Sequence, residues 1–153
     1  MAKAAPVPIH ADMTFAEAAK RTVAVRAQEL WDHAEGVLDT SDIERVHDMR
    51  VATRRLRAVL EIFAPTFEPK EHRAVLREVK ALADALGARR DPDVQLEALA
   101  SIEQAMGAEE RPGLEVFGEQ IRAEQAAGND VLAAALSHAE ESALRERLER
   151  LIA

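Results

Sequence analysis

DIERVHDMRVATRRLRAVLEIF, residues 42–63, carries two interleaved stripes at helical spacing, and reading them decides the fold. On a wheel of about 100° per residue, Met49, Ala52, Leu56, Val59 and Phe63 fall together as an apolar stripe. His47, Arg50, Arg54 and Arg57 fall on a separate side, roughly 130° away. The stretch is therefore a helix with a core face and a cationic face. It opens after the turn residues Asp39-Thr40-Ser41-Asp42 and stops near Phe63, because the residue before Pro65 disfavours the helical region.

The flanks read the same way. Thr14 with Glu17 forms a capping box for a first helix running to about Leu38, with Phe15, Ala19, Val23, Ala27, Leu30, Ala34 and Val37 on its core side and Trp31 beside them as core filler. Glu68-Pro69 opens a third helix that ends at Gly87. Asp91-Pro92 opens a fourth, to about Met106. Arg111-Pro112 opens a fifth, to about Leu136, weakened by Gly113, Gly118 and Gly128, and a last helix takes Glu140 to Ile152. No strand alternation interrupts the series. The expected fold is all-α, an antiparallel bundle of about five or six helices over residues 13–153, preceded by a flexible arm over residues 1–12 with Pro6 and Pro8.

The third helix repeats the two-stripe device. Val75, Leu76, Val79, Ala83 and Leu86 form its core face, while Lys70, Arg73, Arg77 and Lys80 share another. Both cationic rows have the spacing i, i+3, i+7, i+10. Net charge is −8, yet residues 45–90 hold eleven Lys/Arg against six Asp/Glu. A solvated face would lace its cations to acids three or four residues away. Arg50, Arg54, Arg55, Arg73 and Arg77 have none there, and only Arg57 (to Glu61) and Lys80 (to Asp84) do. Guanidinium groups match pairs of phosphate oxygens, so the rows suit an extended ligand with regularly spaced anions. Arg89 and Arg90, in the expected loop 87–91, add two cations beside a helix N-terminus.

Composition closes other routes. There is no cysteine, so disulfides, thiolate metal sites and a Cys nucleophile are excluded. No catalytic Ser/His/Asp set, Gly-rich phosphate loop or paired acidic site stands out, and no cofactor is expected; the chain reads as a non-enzyme. Aromatics make up 3% of residues, too few for base stacking, and the net charge is negative, so nucleic acid is not the expected polyanion. No apolar leader or membrane span is apparent, and a soluble cytoplasmic protein is the expectation.

The run from Val46 to Arg57, followed by Leu60-Glu61-Ile62-Phe63, resembles the signature helix of the CHAD family, the conserved-histidine α-helical domain. The run from Leu76 to Val94, with its Arg90-Asp91-Pro92-Asp93-Val94 element, is similar to that family's second block, and Ile121–Leu151 is similar in layout to the helices closing the family's first half. The resemblance covers about residues 14–152. It implies a non-enzymatic helical module that binds inorganic polyphosphate, often at polyphosphate granules. It carries over His47, Arg50, Arg54, Arg57, Arg77, Lys80, Arg89 and Arg90 as phosphate contacts. Arg55 matches the motif but points about 100° from Arg54. Lys70 and Arg73 join from the wheel rather than from the motif. Family members usually pair two such bundles around a basic channel, and no second signature helix follows Arg90. The resemblance therefore implies a homodimer that rebuilds the pair, or a half-channel.

Three other readings compete. Glu44-x-x-His47 matches half of a di-iron motif, but Arg50 one turn away opposes a metal, and none is expected. His47 on a helix of a bundle could accept a phosphoryl group. The helices could also serve as a protein–protein interaction module. His10, His33, His72 and His138 read as surface or filler positions.

Overall fold

A computed structural model describes residues 3–153. Among these residues the chain forms five α-helices and one 3-10 turn, with no strand: α1 (Phe15–Asp32), α2 (Ile43–Ile62), a 3-10 turn (Ala64–Thr66), α3 (Pro69–Ala105), α4 (Arg111–Glu141) and α5 (Leu144–Leu151). The expected all-α bundle is what forms. None of its helices is long and apolar enough to cross a membrane. Residues 3–12 carry no helix, although the Ala5 N–H donates to Glu29 and Arg21 donates to the Pro8 carbonyl. The first two residues of the expected arm lie outside the described residues.

Local chemistry sets most of the boundaries. Thr14 and Glu17 form the complete capping box of α1. Asp42 occupies the N-cap of α2, but its carboxylate accepts from Arg45 rather than from the helix. The Glu68 side chain caps α3 by accepting from the N–H groups of Lys70 and Glu71, with Pro69 in the first turn. The first helix ends at Asp32, six residues before the expected Leu38. The chain instead turns through Gly36, whose φ of +70° suits glycine, and Arg45 donates to the Glu35 carbonyl at 3.1 Å.

Consecutive helices pack as neighbours, α1 on α2, α2 on α3 and α3 on α4, while α5 lies across α1, α3 and α4. The core includes the predicted Ala19, Val23, Leu30, Met49, Leu56, Val75, Val79 and Leu86. Each fully buried Val, Leu or Met there contributes about 1.5–3 kcal/mol. Phe15, expected in the core stripe, is largely exposed, its ring 5.3 Å from Phe63. Of the two roles expected for His72, surface or filler, the structure shows filler: it is buried, with Nε2 2.8 Å from the Leu60 carbonyl and its ring stacked on Phe67.

The main departure is α3. Two helices joined by a loop at 87–91 were expected, and one helix of 37 residues runs through Pro92. An interior proline forfeits a backbone hydrogen bond and crowds the preceding turn, at a cost of about 3 kcal/mol. Packing outweighs that cost. Arg89 and Asp93, both buried, form an i,i+4 ion pair; Arg89 Nε donates to Asn129 at 3.1 Å, and Gln125 donates to Asp93 at 2.6 Å. Asn129 in turn donates to the Leu38 carbonyl, so the network ties α3, α4 and the α1–α2 connection together. Gly128 lets α4 approach closely, since a Cβ there would stand 2.7 Å from the Ala88 carbonyl oxygen, the acceptor that Pro92 leaves without its helical donor. Gly118 repeats the close approach against Leu99. The glycines that weaken α4 by propensity are two of its packing positions.

Candidate cationic binding face

Because α2 and α3 are joined by a short connection and packed on each other, their cationic rows meet where Arg57 and Lys80 share Glu61. Arg50, Arg54 and Arg57 of α2 line a shallow depression whose other side is Ala83 and Asp84 of α3. Lys70, Arg73 and Arg77 are exposed, as are Arg54 and Arg57, while Arg50 and Lys80 are half-buried.

Pairing within the face is uneven. Arg57 Nε meets Glu61 at 3.2 Å as its i,i+4 spacing predicts. Lys80 does not take Asp84, its in-helix partner by spacing; it reaches across to Glu61 at 2.9 Å, so one carboxylate bridges both rows. Hydrogen bonds from Lys80 and Arg57 hold the Glu61 carboxyl below the usual range. Asp84 stands instead in the arginine depression, set there by the register of α2 against α3, which no in-helix spacing reports. Arg50, Arg54, Arg73 and Arg77 make no ion pair or hydrogen bond with another described residue. The free guanidinium groups thus form two clusters, Arg50 with Arg54 and Arg73 with Arg77.

Other expected contacts separate from this face. Arg89 is fully buried in the α3–α4 seam, so it is a structural cation and does not meet a ligand at the surface. Arg90 is largely buried, with Nη2 3.7 Å from Glu97 and Nη1 lacking a protein partner. Because α3 is continuous here, no helix N-terminus stands beside either arginine, and the anion site expected at Asp91-Pro92 does not form. Arg55 turns toward α1, where its charge acts on Glu29. Burial raises the Glu29 carboxyl, but hydrogen bonds from Ala5 and Arg26 outweigh this and hold it below the usual range. The signal for the role of Arg89 is its i,i+4 spacing to Asp93, legible only if the helix crosses Pro92.

His47 is half-buried one turn before Arg50, and its ring nitrogen lies with carboxylate oxygens of Glu44 and Asp48 within 4.8 Å of one another. Asp48 is the third donor that the Glu44-x-x-His47 spacing did not reveal. All three donors come from one turn of one helix, and Glu44 and Asp48 already engage other groups.

A family model described as "CHAD domain" matches residues 21–153. The chain is 36% identical over 81 residues to an uncharacterized protein, Rv2226, of Mycobacterium tuberculosis strain H37Rv, a match covering 52% of this chain and 15% of that protein. A second such protein, MT2285 of strain CDC 1551, is 35% identical over the same coverage. The matched segment is thus a small part of those longer relatives.

Proposed function

We propose, from the premise that this chain belongs to the CHAD domain family, that the α2–α3 face binds inorganic polyphosphate without catalysing a reaction on it. The observation that carries this reading is the set of four arginines, Arg50, Arg54, Arg73 and Arg77, left without ion pairs among the described residues of a chain that holds 28 acidic residues. Like-charged neighbours at i,i+4 cost roughly 0.2–0.5 kcal/mol per pair, and a bound polyanion removes that cost. Arg57 and Lys80 contribute through their donors not taken by Glu61, and Lys70 extends the row. His47 sits at the end of the α2 row. Glu44 and Asp48 beside it oppose any phosphate group there, bound or covalent, so the arginines rather than His47 carry the site. The site of action is then the cytoplasm, at polyphosphate granules.

Titration with polyphosphate, single-stranded DNA and ATP at two salt concentrations tests the reading. Tight binding that depends on polyphosphate length and weakens with salt is expected. Arg50→Ala and Arg54→Ala should each weaken polyphosphate binding and flatten the salt dependence, with unchanged helix content by circular dichroism. Equal weak binding of all three ligands, or wild-type affinity in both variants, overturns it.

A further inference from the structure

Among the described residues, Ala143 is the one non-glycine residue with a positive φ (φ 51°, ψ 45°), and it stands at the turn between α4 and α5. Glycine is the usual residue at such a helix end, because in the left-handed region a Cβ crowds the following carbonyl. Nothing in the local sequence asks for a break there. His138 to Ile152 contains no glycine or proline, and the stretch from Glu140 to Ile152 reads as one helix. Ser142 already has right-handed helical angles, and the Arg147 N–H already donates to the Ala143 carbonyl at 3.0 Å, as in a helix. Turning Ala143 alone into the right-handed region therefore joins α4 and α5 into one helix over residues 111–151. It also sets Glu141 before Arg145 at the favourable i,i+4 spacing. What holds the turn is the docking of α5. Leu144 and Leu148 are fully buried, and Leu151 and Ile152 pack at the edge of the core. Arg147 pairs with Glu71 and Glu78, and the Ser142 hydroxyl donates to Glu78.

We infer that two copies of this chain exchange α5. In the exchanged dimer α4 and α5 are one straight helix, and α5 of each copy fills the site on α1, α3 and α4 that the other has vacated. An undocked α5 cannot stay in solvent, since it bares Leu144, Leu148, Leu151 and Ile152 and strands the carboxylates of Glu71 and Glu78. The second copy offers the same apolar floor and the same two carboxylates in the same places. Every contact of the single copy is thus rebuilt across the pair. The two states differ in two relieved Ala143 residues against the entropy lost on association. On the α3 wheel, Glu71 and Glu78 lie roughly 140° from Arg73, Arg77 and Lys80. Exchange on that side leaves the cationic face of each copy open, and it stands whatever those faces bind.

Refolding from urea at low and at high protein concentration, followed by gel filtration with light scattering, tests this on the full chain. A species of two chains should form at high concentration and revert slowly on dilution, because α5 must undock to return. Ala143→Gly suits the turn and weakens the straight helix, so it should lower the dimer association constant by about tenfold or more. Ala143→Val, whose branched side chain resists left-handed angles, should raise the dimer fraction. Thiol cross-linking identifies the exchange itself. The chain has no cysteine, and Gln28 of α1 and Glu149 of α5 are exposed and line one cavity. With Gln28→Cys and Glu149→Cys together, a short bis-maleimide should link each monomer to itself. In the isolated dimer it should link the two chains to each other, as read on a denaturing gel. A monomer at every concentration in both the wild type and Ala143→Val overturns the inference. So does a dimer whose cross-links stay within each chain, or an Ala143→Gly protein that dimerises as readily as the wild type.

Discussion

The two halves of α3 handle charge in opposite ways. Before Gly87 the helix carries its arginines on the solvent face, where Arg73 and Arg77 are unpaired among the described residues. After it, Arg89 is sealed in the seam with α4, where it donates to Asp93 and Asn129. Identical side chains a few turns apart are thus a surface available to anions and an internal clamp. What separates them is the neighbouring element. The first half is flanked by α2, which brings more arginine, whereas the second meets α4, which brings Gln125, Gly128 and Asn129.

The strongest test of this contrast is Arg89→Ala. It strands Asp93 as a buried charge, and removing one partner of such a pair typically costs about 3–5 kcal/mol. Urea unfolding should show a loss of that order, while Arg89→Met combined with Asp93→Leu should recover most of it. A loss below about 1 kcal/mol for Arg89→Ala would place the arginine outside the clamp.

Gly128→Ala probes the same seam more gently. The added Cβ meets backbone at Ala88 rather than a flexible side-chain end, so α4 must shift, at about 1–3 kcal/mol by analogy with overpacked cores. Gly87→Ala, in open space on the first half, should be neutral or slightly stabilising because alanine is the better helix former. Thermal unfolding of the two variants ranks the halves directly, and equal effects would erase the difference.

The smallest effect concerns pH. The first half is clipped to α5 by Arg147, which pairs with Glu71 at 2.7 Å and with Glu78. Burial raises the Glu78 carboxyl, but hydrogen bonds from Ser142 and Arg147 outweigh it and hold it below its ordinary 4.5. A carboxyl depressed in the folded state stabilises above its unfolded value and loses that contribution as pH falls through the folded one. Stability should therefore decline as pH drops below about 4.5, and Glu78→Gln should flatten the decline in pH-dependent urea melts. An unchanged profile would remove Glu78 from the clip.

Much of this was legible in advance because helices obey local rules. The capping box at Thr14, the Glu68-Pro69 start and the two-stripe pattern of α2 depend on residues within a turn or two of each other, and all appear as read. The cationic rows were legible for the same reason. The boundary at Gly87–Pro92 was not, because glycine and proline argue locally for a break while the opposing forces come from α4, some 40 positions along the chain in the Arg89–Asn129 bond.

Amino-acid order alone determined that this protein is a helical bundle whose second and third helical segments carry arginine rows without in-helix acids, since periodicity and spacing are properties of the chain. Only tertiary structure decided which arginines face solvent. Burial depends on what packs against a helix, and α4 turned Arg89 into a core residue while leaving Arg73 and Arg77 in the open.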